Sequence, residues 1–93
     1  MSDKISVTVD GIKVKLSRDA FCDFDNFELL LNADAGDAIA AIGFIRNVLG
    51  QKQFQRVKDE YRAAHGNLNF MDFLPFLKKL LEAVSAKANA LKN

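Results

Sequence analysis

Asp10-Gly11 stands between two alternating runs, Ile5-Ser6-Val7-Thr8-Val9 and Ile12-Lys13-Val14-Lys15-Leu16. Both central residues of a two-residue type I′ turn need positive φ, which Gly adopts freely and Asp tolerates. The dipeptide therefore predicts a β-hairpin over about 5–16 and sets its register. Val9 faces Ile12, Val7 faces Val14 and Ile5 faces Leu16, all on one face. Ser6, Thr8, Lys13 and Lys15 line the other. A lone two-stranded hairpin is marginal in water, so its apolar face must lie on something else. The remainder of the chain has to supply that surface.

The remainder reads as helix. Ser17 to Asp23 is expected to be a connector. Asp25 with Glu28 fits a capping box, and Phe24, Phe27, Leu30 and Leu31 recur at helical spacing. That helix should stop near Ala35-Gly36. Asp37 can cap a second one, which ends at Gly50 and is apolar on nearly all sides: Ile39, Ile42, Phe44, Ile45, Val48 and Leu49. Such a helix is normally central or covered by a partner. Gly43 within it would let another backbone approach closely. From Gln51 to His65 a narrow stripe, Phe54, Val57, Tyr61 and Ala64, marks a surface helix that Gly66 terminates. Asn69, with Asp72 three positions on, opens a last helix with Pro75 in its early turns, where a missing N–H costs less. The expectation is one α+β, mainly α-helical domain over 1–93, a hairpin packed on helices at about 24–35, 37–49, 51–65 and 70–90. Its C-terminal end is expected to fray. With 93 residues there is room for no second core.

Charge and composition narrow the function. Thirteen basic against twelve acidic residues leave a net charge of +1, with no global pull toward nucleic acid or an anionic membrane. Arg46, Lys52, Arg56, Lys58 and Arg62 are interleaved with Asp59 and Glu60, which reads as a mixed solvated face. A single Cys, Cys22, cannot form an internal disulfide, and a secreted domain this small usually needs several. No apolar run approaches the ~18 residues of a membrane span, and the polar start lacks the apolar stretch of a signal peptide. A cytoplasmic protein is expected. Aligning Gly66 with the invariant glycine of an EF-hand loop puts Tyr61, Ala63 and His65 where oxygen ligands are required, so calcium binding fails. One Cys and one His make no zinc site. Cys22 reads as a small semi-buried filler, and His65 as a cation complementing a helix C-terminus. No catalytic residue, metal or cofactor is expected.

Phenylalanine is the unusual component, with 8 in 93 residues. The all-round apolar second helix and the wide stripe of the last one exceed what one small core obviously needs. Surplus apolar helix suggests self-association or capture of another apolar helix. On the last helix Phe70, Leu74, Leu77 and Leu81 lie toward one edge of the stripe. Phe73, Phe76, Leu80 and Leu91 lie toward the other, with Val84 near the middle. The second edge is the expected partner side, because Lys79, Ala83 and Lys87 border it. Phe73, Phe76, Leu80, Val84 and Leu91 are therefore the candidate partner-binding residues.

The order of these features resembles the small tail assembly chaperones of long-tailed bacteriophages. The likeness rests on the hairpin, then Asp23-Phe24-Asp25-Asn26-Phe27-Glu28-Leu29-Leu30, then an apolar helix closing on Val48-Leu49-Gly50. Gln53-Phe54, Val57 and Tyr61 follow, then Gly66-Asn67-Leu68 and a helix with Phe73, Phe76 and Leu77. It spans roughly residues 3 to 84. The resemblance implies a non-enzymatic role in the host cytoplasm. Such chaperones bind the long, helix-rich tape measure protein, keep it soluble until tube subunits polymerise around it, and then leave. Two competing readings belong to other classes: a small adaptor or regulatory domain that binds one folded protein, and a weak nucleic-acid-associated protein. Self-association into a homo-oligomer is a further expectation.

Overall fold

The computed structural model describes residues 4–92, with side chains from 4 to 88. Strands β1 (Lys4–Val9) and β2 (Ile12–Ser17) form the hairpin. Their register pairs Val9 with Ile12, Val7 with Val14 and Ile5 with Leu16, as the alternation predicts. Asp10 and Gly11 both take positive φ, 52° and 82°, which is what the turn demands. Ile5, Ile12, Val14 and Leu16 are buried, with Val7 and Val9 packed at the margin of the same core.

Five helices follow: α1 (Arg18–Cys22), α2 (Phe24–Asp34), α3 (Ala38–Leu49), α4 (Gln51–His65) and α5 (Phe70–Lys92). The architecture is the expected α+β, mainly helical one, with a correction at its start. Residues 18–22 are a short helix, not a connector. Ser17 caps it, its Oγ accepting from Ala20 N at 3.0 Å. A helix this short does not persist alone. Phe21 anchors it in the core, edge-on to Phe44 with ring centroids 5.8 Å apart. A second correction follows from the first. Because α1 ends at Cys22, the chain turns at Asp23, and Asp23 rather than Asp25 is the cap of α2. Its carboxylate accepts from Asp25 N and Asn26 N at 3.1 and 3.3 Å.

Asp37 caps α3 as read, accepting from Ile39 N and Ala40 N at 3.0 and 3.2 Å. Gly50, at φ 84° and ψ 158°, joins α3 to α4 with no loop at all, in a conformation that side chains avoid. Gly66 closes α4 in the left-handed conformation, its N–H donating to Arg62 O at 2.7 Å. Asn69 Oδ1 accepts from Met71 N at 2.8 Å at the start of α5.

The long helix α5 is the keel of the fold. β1 lies along it, and α3 packs on it from another side, while β2 rests on α3 and α4. Phe44, Ile45, Val14, Val57, Leu77, Leu80 and Val84 are fully enclosed where these elements meet. The edge of β2 is covered by side chains of α4. Gln53 donates to Lys15 O and accepts from Lys15 N, at 2.6 and 2.8 Å, and Arg56 donates to Lys13 O at 2.8 Å. An unpaired strand edge is a template for association, and here α4 occupies it.

Candidate functional site

The expected partner edge of α5 is core. Phe73, Phe76, Leu80 and Val84 are buried, Leu80 and Val84 completely; Leu91 lies outside the described side chains. The reason is the number of neighbours. A helix lying on one layer buries a stripe of ~100°, but α5 is flanked by the hairpin and by α3 and Tyr61 of α4, so a wider arc is enclosed. Tyr61 packs against Phe73 and Phe76, with ring centroids 5.0 and 5.4 Å away. The other edge is mostly core as well: Leu77 and Leu81 are buried and Leu74 is half-buried. Among the described side chains of α5, the large apolar ones left open are Phe70 and Met71 in its first turn.

The exposed apolar side chains lie elsewhere. Phe24, Phe27 and Leu31 of α2 are 75%, 42% and 54% exposed. Their spacing of three and four residues aligns them in one stripe. Helical spacing puts Phe24, Phe27, Leu30 and Leu31 in one run, and the structure divides it. The face that packs inward is Asn26, Leu30, Leu29 and Ala33. Asn26 fixes that rotation. Its Nδ2 donates to Ala20 O at 2.8 Å, tying α2 to α1 and satisfying a buried amide. Leu29 fills the space over Gly43 of α3, the nearest contact a Cβ there would make being Leu29 Cδ1 at 3.6 Å. Gly43 thus receives a side chain and not a backbone.

The all-round apolar helix α3 is central, with Ala40, Ala41, Phe44, Ile45, Val48 and Leu49 buried, yet Ile39 is 81% exposed. Ile39 stands on α3 between the Gly43 flank, which meets α2, and the Ile42 flank. Ile42 lines a pocket of about 210 Å³ with Arg46, Phe54, Leu68, Phe70 and Leu74. Phe70 and Leu74 also border a shallower groove with Ala38, Met71 and Lys78. Helix α3 therefore separates two apolar surfaces, the α2 stripe and the pocket at the start of α5.

Polar chemistry is sparser. Cys22 is exposed, not the semi-buried filler expected of it. Ala64, read as part of the buried stripe of α4, is exposed, whereas Phe54, Val57 and Tyr61 are buried. His65 stacks on Tyr61 at 4.0 Å, its Nδ1 3.1 Å from Tyr61 O. Beside them Asp10, Asp72 and Lys79 line a polar cleft. Burial pushes the Tyr61 phenol above its ordinary value, and the Asp72 and Asp10 carboxylates add to the shift. On α4 the charges pair as a mixed face, Arg56 with Glu60 and Arg62 with Asp59. Among the described residues no three His, Cys, Asp or Glu side chains gather as a metal would require, and no buried side-chain N or O lacks a partner. No helix among them is long and apolar enough to cross a membrane.

Comparison with protein-family models, curated proteins and solved structures finds no match.

Proposed function

We propose that this chain is a non-enzymatic, protein-binding module that captures apolar helical segments, and that its role is that of a phage tail assembly chaperone holding a tape measure protein in solution. The supporting observation is the stripe of Phe24, Phe27 and Leu31 along a helix whose opposite face completes the core. Single exposed apolar residues are ordinary, but aromatic side chains aligned along one helix are the pattern that receives a partner helix. The partner-binding residues proposed are therefore Phe24, Phe27, Leu31 and Ile39 with Phe70 and Met71, in place of the α5 edge. A long helix-rich partner would offer many such sites, and weak copies bound along one chain gain avidity by linkage. The host cytoplasm is the compartment this role requires.

Co-expression with a tape measure fragment tests the reading. The fragment should stay in the soluble fraction with the wild-type chain and precipitate with a Phe24→Glu, Leu31→Lys variant. Equal precipitation with wild type and without any chaperone would reject the role.

A further inference from the structure

We propose that the pocket between α3, α4 and the start of α5 takes an apolar side chain from a helical partner segment that carries Asp or Glu beside that anchor. This rests on the reading that the chain captures helices, and specifies what kind. The pocket is walled by Ile42, Phe54, Leu68, Phe70 and Leu74 and holds about 210 Å³. A cavity of ~150 Å³ lined by such residues accommodates benzene, so a Phe or Leu side chain fits this one.

Its rim is charged with one sign. Arg46 Cζ and Lys58 Nζ lie 5.5 and 5.3 Å from the centre of the Phe54 ring, which holds both cations at the pocket wall. Lys78 lines the adjoining groove. No Asp or Glu lines either depression. Arg46, Lys58 and Lys78 have no ion pair among the described residues, so their charge is not already met by a carboxylate of this chain. A helix presents residues three and four positions from its anchor on the same face, so carboxylates there would meet Arg46 and Lys58 as the anchor enters. A basic helix would bring like charge to the same rim. The anchor then supplies the affinity, and the carboxylates the choice of partner and its orientation.

The test uses the full chain and two fluorescent synthetic helices of about 20 residues, enough to span several helical turns. Both carry the same Leu and Phe anchors; one has Glu at the flanking positions and the other Lys. Fluorescence anisotropy should show the Glu peptide binding about tenfold tighter at low salt, as expected for two partly exposed ion pairs, with the gap narrowing as salt is added. Arg46→Gln with Lys58→Gln should remove the preference, and Arg46→Glu with Lys58→Glu should reverse it. Equal binding of the two peptides to the wild-type chain would overturn the charge selection while leaving helix capture standing. A preference that survives the charge reversal would place the site elsewhere and overturn it too. Failure of both peptides to bind would overturn this inference and helix capture together.

Discussion

Asp23, Asp37 and Asn69 perform the same task at three helix starts, each side-chain oxygen accepting N–H bonds that the first turn cannot satisfy internally. Asp37→Ala should cost about 1 kcal/mol in urea denaturation, the usual worth of a cap. Asp37 and Asn69 were legible because a cap is a local device, written within three or four residues of where it acts. Asp23 was not, because its role depends on α1 ending beside it, and α1 exists only through the burial of Phe21. Tyr61 offers a test of a different kind. Its phenol titrates higher in the folded chain than its ordinary value of about 10. The folded state thus favours the protonated phenol. That contribution is fully present below the unfolded pKa and is lost as pH rises through the folded one. The difference in melting temperature between Tyr61→Phe and wild type should therefore stay constant through neutral pH and change only in alkaline solution, above about pH 10, where wild type loses stability and the variant lacks this contribution to the loss.

At the scale of elements, the hairpin and its register were readable because both are set by two turn residues and a period of two. Four of the five helices were readable from glycines, caps and periodicity; α1 was not. What could not be read was which side of a helix faces in when it carries apolar residues on both. In α2, Phe24, Phe27, Leu30 and Leu31 share helical spacing, but the rotation is set by Asn26 reaching Ala20 and by Leu29 sitting over Gly43, both contacts across elements. In α5 the surplus of apolar surface is real, and it is consumed by neighbours on several sides. Each large-to-small change in a core costs ~2–5 kcal/mol. A domain of this size holds only about 5–14 kcal/mol in all, at 0.05–0.15 per residue. Phe76→Ser with Leu80→Ser should therefore abolish the cooperative thermal transition. A folded, merely dissociated double variant would show that this edge faces outward.

For the whole molecule, one core is assembled around α5, and the large apolar side chains left outside it among the described residues stand on α2, at Ile39 of α3 and in the first turn of α5. Those residues contribute little to folding, because surface changes usually fall within ~0.5 kcal/mol. Stability and binding are thus separable in this chain. Phe24→Glu with Leu31→Lys keeps the net charge and places each new charge favourably for the helix dipole. The decisive measurement is sedimentation velocity of a tape measure fragment mixed with the wild-type chain or with this variant, both verified as folded by melting. Wild type should co-sediment with the fragment in several copies per molecule, and the variant should remain apart with its melting temperature nearly unchanged. A fragment that sediments alone beside wild type, or that binds the variant equally well, would contradict the account.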